Sequence, residues 1–145
     1  MDLETTKKAP LVYWLVAVAV SFWNLMGCII FFSAILGGEA MLEGMTEVQK
    51  EWARSLPAWI YVVFGIAIVS GVLGCVSLWI RKKVSFSLFL ISLAAVLVQQ
   101  IYSMFIAGGF QVMGAQGLIM PGIVTAIAFS TVWFSMFSLR KGWLN

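Results

Sequence analysis

The chain has 145 residues, of which 62% are apolar and only 10% charged, and its mean hydropathy is +1.01. Soluble domains are nearer half apolar and a quarter charged, and one interior of this length cannot hide so much carbon, so lipid has to cover the rest. The net charge of +3 does not point to nucleic acid, because all nine basic residues lie outside the apolar runs, where an orientation signal belongs.

Four apolar segments follow one another, residues 11–36, 57–80, 84–107 and 118–139, and none contains Asp, Glu, Lys, Arg or His. Each exceeds the roughly 20 residues that cross about 30 Å of hydrocarbon as a helix. The first follows Lys7 and Lys8 and precedes small residues near Ala40, as a signal peptide would. Its apolar length is nevertheless far beyond a signal core of about 7–15 residues, so it reads as a span. The expected fold is all-α, a single integral membrane bundle of four transmembrane helices.

Between spans 1 and 2, Met41, Met45, Val48, Trp52 and Leu56 recur at helical spacing among Glu39, Glu43, Glu47, Lys50, Glu51 and Arg54. That pattern predicts an amphipathic helix on the outer membrane surface. Thr46 with Gln49 matches a capping box, which could equally start a shorter helix there, and Ser55 before Pro57 marks the re-entry into span 2. Span 2 pairs Ala67 with Gly71, Ser70 with Gly74 and Gly71 with Cys75, each four residues apart. These small residues make a groove for another helix, of this chain or of another subunit.

Arg81, Lys82 and Lys83 stand alone between spans 2 and 3, reading as an anchor to anionic headgroups and not as a binding site. The next loop, residues 108–117, is uncharged, with glycines at 108, 109, 114 and 117, and reads as flexible backbone that can lie on the bilayer or fold back into a cleft. Pro121 falls in the first turn of span 4, where its missing N–H costs little. Counting basic residues by loop places Lys7, Lys8, Arg81, Lys82, Lys83, Arg140 and Lys141 on one side against Lys50 and Arg54 on the other. Short basic loops stay cytoplasmic, so both termini are expected there, and four crossings agree. Tyr13, Trp14, Trp79 and Trp143 near one set of ends, and Trp52, Trp59, Tyr61 and Tyr102 near the other, suit the headgroup level; Trp23 and Trp133 fall deeper.

The absences narrow the chemistry. With no His in the chain, histidine-ligated haem, His metal sites and His proton relays drop out, and no cofactor is expected. No carboxylate in the spans is available to couple transport to protons or sodium, and no Ser has a His, Lys or Asp partner for hydrolysis, so the chain does not read as an enzyme. Cys28 and Cys75 differ in depth by roughly 18 Å at the helical rise, too far for a disulfide. What remains is a layer of neutral polar groups. From the basic ends, Asn24 lies roughly 20 Å in, Gln99 roughly 22 Å and Thr125 roughly 21 Å. Tyr13, Ala17, Ser21, Asn24 and Cys28 align on helix one, Ser92, Ala95, Gln99 and Tyr102 on helix three, and Pro121, Thr125, Ala128, Ser135 and Ser138 mark helix four. If those faces converge, the amides and hydroxyls can bind one another or a polar solute.

Several runs also resemble a group of small bacterial four-span membrane proteins that carry the label of sugar transporters. The likeness lies in Trp23-Asn24-Leu25-Met26-Gly27, Pro57-Ala58-Trp59, Gly71-Val72-Leu73-Gly74-Cys75, Arg81-Lys82-Lys83, Val98-Gln99-Gln100-Ile101-Tyr102, Met120-Pro121 and Lys141-Gly142-Trp143-Leu144. It implies a bacterial cytoplasmic membrane, and it implies that Asn24, Gln99, Tyr102 and Pro121 belong to the group's common pattern. Two functions are then expected. One is an uncoupled facilitator of a small polar solute such as a sugar, working as a homo-oligomer, with Asn24, Gln99, Tyr102 and Thr125 as its contacts. The other is a non-catalytic accessory or scaffold subunit, whose small-residue groove and aromatic surfaces bind partner membrane helices, lipids or pigments.

Overall fold

The computed structural model describes residues 7–145, and among these the regular structure is entirely helical. Pro10 and Pro57, extended and unable to donate a backbone N–H, precede the first two long helices, α1 (Leu11–Leu36) and, after a short α2 (Glu47–Ser55), α3 (Ala58–Trp79). Helix α4 (Val84–Ile101) runs into one wide turn over Tyr102–Ile106, in which the Ala107 N–H donates to the Tyr102 carbonyl at 2.8 Å. A short α5 (Gly109–Met113) then leads to α6 (Ile119–Arg140), with Pro121 in its first turn. Four helices are long and apolar enough to cross a membrane, and they coincide with the four apolar segments.

The long helices pack in the order α1, α3, α4, α6. The small residues of α3 set the distances. Gly71 admits Asn24 of α1 and Ser92 of α4, and a methyl group there would collide with the Asn24 carbonyl. Gly74 lies under the Phe89 ring, where a Cβ would fall 2.7 Å from Cε1. The Ser92 hydroxyl donates to the Ala67 carbonyl at 2.8 Å, tying α4 to α3. Ala67, Ser70, Gly71, Gly74 and Cys75 are all buried, so the groove is filled by α1 and α4 of the same chain. Facing outward are Leu15, Val62, Val69, Leu73, Val98 and Phe129, an apolar surface suited to lipid.

The two ends differ. At the basic end Tyr13 is fully buried, donates its phenol proton to the Leu78 carbonyl at 2.6 Å, and packs on Trp14, Phe134 and Trp143 with ring centres 5.2–6.0 Å apart. The segment 142–145 folds back beneath the Arg81–Lys83 turn. Asn145 N–H donates to the Arg81 carbonyl at 2.7 Å, and Lys83 N–H donates to the Asn145 carbonyl at 2.9 Å. Arg81 itself takes a left-handed φ of 58°, and its guanidinium donates to the carbonyls of Trp143, at 2.8 Å, and Lys7. This corrects the expectation that all three charges reach headgroups: Lys82 and Lys83 are exposed, whereas Arg81 is turned inward as a clamp.

At the opposite end the shorter of the two helices that the sequence left open is found. A 3₁₀ turn, Gly38–Leu42, stops before Gly44, whose φ of 85° a helix cannot include. The capping box then starts α2: Gln49 N–H donates to Thr46 Oγ1 at 3.3 Å and Thr46 N–H to Gln49 Oε1 at 3.1 Å. The uncharged loop 108–117 is also more ordered than its glycines suggested, folding into α5 and a second 3₁₀ turn, Ala115–Leu118. Trp52 of α2 lies against Gly109 of α5, where a Cβ would sit 2.8 Å from the indole Cζ2, and its buried N–H has no partner.

Candidate functional site

Because α1 and α6 flank the row without packing along their length, a space remains among all four long helices. It is a cleft of about 260 Å³, walled by Trp23, Asn24 and Ile30 of α1, Phe64 and Ile68 of α3, Ser92, Val96 and Gln99 of α4, and Val124, Ile127 and Thr131 of α6. Phe89 forms its floor and belongs to the same apolar cluster as Tyr13, Leu78, Phe134 and Leu144, so the basic end is closed beneath it. Met26, Ile30 and Met120 line the cleft and are also exposed, which puts its mouth between α1 and α6 in the half away from the basic end.

Asn24 and Gln99, on different helices, meet this one space. Asn24 donates to the Val20 carbonyl at 2.9 Å, the bond one turn back that an amide makes when the helix supplies its only nearby acceptor. Its carbonyl oxygen rests over Gly71, and Gln99 makes no hydrogen bond with the described residues. The two hydroxyls in the walls have given their protons within the chain, Ser92 to Ala67 and Thr131 to the Ile127 carbonyl at 2.8 Å, and keep only acceptor lone pairs toward the cleft. The remaining donors in its lining are the Gln99 amide, what is left of Asn24 and the Trp23 indole N–H.

Thr125 and Tyr102 go elsewhere. Thr125 is at the expected depth but faces away from the cleft, sharing its proton between Gln100 Oε1 at 2.5 Å and the Pro121 carbonyl at 2.8 Å. It lines a separate shallow depression with Gln100 and Met104. Tyr102 packs edge-on against Trp59, ring centres 4.7 Å apart, which joins α3 to the wide turn. Of the two deep indoles, Trp23 lines the cleft, whereas Trp133 is exposed and stacks on Phe137 with centres 5.5 Å apart. Gln100 and Thr131 were not among the expected site residues. The doublet Gln99-Gln100 was the available signal, since neighbours on a helix point about 100° apart and so serve two faces.

No charged side chain lines the cleft. Among the described residues no three His, Cys, Asp or Glu side chains are grouped so as to hold a metal ion, and both cysteines are free thiols. The shifted carboxyls lie in the loop between α1 and α3. A hydrogen bond from Arg54 holds the Glu39 carboxyl below the usual range, and one from Lys50 does the same for Glu47. Comparison of the chain with family models, curated proteins and solved structures gives no match at any of the three levels.

Proposed function

We propose that this chain is a multi-pass membrane protein, inserted with Arg81–Lys83 on the cytoplasmic side, that binds a small molecule among its four spans without altering it chemically. The observation that carries this reading is the cleft itself: four helices enclose it and two amides, Asn24 and Gln99, face into it from different helices. A mostly apolar cavity with a few convergent polar groups is the usual form of a small-molecule site. On this reading α2 lies on the outer surface of a bacterial cytoplasmic membrane, beside the mouth of the cleft.

Binding within the membrane suits a non-catalytic accessory subunit of a larger assembly, and the closed basic end favours holding a ligand over conducting it. Facilitated passage of a small polar solute, by a homo-oligomer, is the second reading. Its support is the depth of Gln99, roughly 22 Å in, where an alternating-access site belongs. It requires the cluster of Tyr13, Phe134 and Leu144 to part.

Purified protein in liposomes separates the two. A facilitator admits labelled glucose or glycerol at a rate that falls several-fold in Asn24→Leu and Gln99→Leu, and unchanged uptake in both variants sinks it. A cysteine at position 45 labelled only from outside the cell, and one at 82 shielded, supports the orientation; the reverse pattern overturns it.

A further inference from the structure

The chemistry of the cleft narrows what it can hold. A hexose carries about five hydroxyls, and each one buried without a partner costs about 1–3 kcal/mol. Against these the cleft offers few donors, the Gln99 amide, part of Asn24 and the Trp23 indole N–H, because the Ser92 and Thr131 protons and one Asn24 donor are engaged within the chain and the two hydroxyls can only accept. These groups are spread along the cleft, so a sugar at any one level would leave several of its hydroxyls unpaired. A molecule with one polar group and a long apolar body would leave none.

The shape agrees. Gln99 and the floor residue Phe89 are both on α4 and both line the cleft. Ten residues separate them, about 15 Å at the helical rise, which matches an extended chain of roughly a dozen carbons. The walls along that length are Ile68, Val96, Val124 and Ile127. The mouth, bounded by Met26, Ile30 and Met120, faces sideways between α1 and α6, where a molecule dissolved in the bilayer arrives without crossing water. No acidic or basic side chain lines the space, so a charged head would be buried without a counter-charge.

Resting on the binding role proposed above, we infer that the cleft takes a neutral single-chain amphiphile from the lipid phase, its amide, hydroxyl or carbonyl head at Gln99 and its chain passing Asn24 toward Phe89. Apolar contact gains little against lipid tails, so selection falls on the head group, whose hydrogen bonds are made away from water.

The test uses the whole protein in phosphatidylcholine nanodiscs, with dodecanamide bearing a diazirine in its chain as the probe. After illumination, mass spectrometry should find the label concentrated on Trp23, Ile30, Val124 and Ile127. Unlabelled dodecanamide should compete at least tenfold better than laurate at pH 8, where the acid is ionised. Gln99→Leu, which keeps the shape of the cleft, should lower labelling by about tenfold, and Ala128→Phe, which fills it, should remove labelling. Label spread evenly over Leu15, Val62 and Phe105 and indifferent to both variants overturns the inference. Equal competition by laurate overturns it too, as does efficient cross-linking between copies through Met26→Cys, which would make the cleft a seat for a second chain. A photoreactive methyl hexoside tells this failure from that of the broader role. Cleft labelling by the hexoside alone leaves a binding site and removes the amphiphile; labelling by neither probe removes both.

Discussion

The basic end and the end that carries α2 and α5 are closed by different means. At the first, rings, backbone and a charged side chain converge: Tyr13 bonds to α3, Phe134 of α6 packs on it, and Arg81 holds the segment 142–145 and Lys7. At the other, Trp52 rests on Gly109 with its N–H unpartnered, and the main ionic tie is Arg54 to Glu39, an exposed pair with a closest approach of 2.5 Å. Buried ring packing and a buried phenol bond are costly to break, whereas exposed ion pairs contribute little, and this holds although the basic end also buries the unpartnered hydroxyls of Ser85 and Ser138. A four-span bundle can thus be fixed at one end and yielding at the other, and the mouth of the cleft opens in the yielding half.

The sharpest way to break that comparison is to remove the ring at its centre. Tyr13→Ala should destabilise the protein by about 3–5 kcal/mol, as expected for deleting a buried aromatic, measured by unfolding in mixed micelles. Tyr13→Phe, which loses only the bond to Leu78, should cost about 1 kcal/mol. If the two variants behave alike, packing does not hold this end. Gly74→Val should cost about 1–3 kcal/mol by driving α3 away from the Phe89 ring, and should also lower ligand capture because that ring is the cleft floor.

Arg81 separates strain from clamping. Arg81→Ala loses the guanidinium and retains a side chain at φ 58°, whereas Arg81→Gly loses the same bonds without the backbone penalty. Glycine should therefore be the more stable variant by about 1 kcal/mol, and the reverse order would show that the φ carries no cost. The smallest effect is expected at the other end. Glu39 has its pKa lowered by the Arg54 hydrogen bond, so its contribution is present above the ordinary carboxylate value and is lost as pH falls through the lower folded value. Acidification should lower the protection factors of the α2 amides, once the slower intrinsic exchange at low pH is divided out, and leave those of the 142–145 segment unchanged. Equal loosening of both ends would contradict the comparison.

Much of this architecture was legible in the sequence, because span length and the absence of charge depend on one dimension only, the bilayer thickness. The small residues of α3 were likewise readable as a contact face, since close approach of two helices admits few residue types. Depth along a helix was available only in part: Thr125 bonds to Gln100 and so is level with Gln99, but Asn24 lies with Ser92 against Gly71, about 10 Å nearer the basic end at the helical rise. Rotation about the axis was not. Thr125 sits one residue from the cleft-lining Val124, about 100° around α6, and turns to Gln100 instead. With little amphipathic contrast in an apolar helix, only packing fixes that angle. The start of α2 was legible in the capping box, whereas the left-handed φ of Gly44 was not, since Met41 to Leu56 keep a helical period that says nothing about the glycine among them.

The clamp at Arg81 carries a consequence for how the protein is made. A ribosome delivers residue 81 long before residue 143, so during synthesis the guanidinium lacks the carbonyl of Trp143. Once α6 has packed beside α4, the guanidinium donates to the carbonyls of Trp143 and Lys7. The clamp therefore closes only after the last helix is in place, and its formation marks the completion of the bundle.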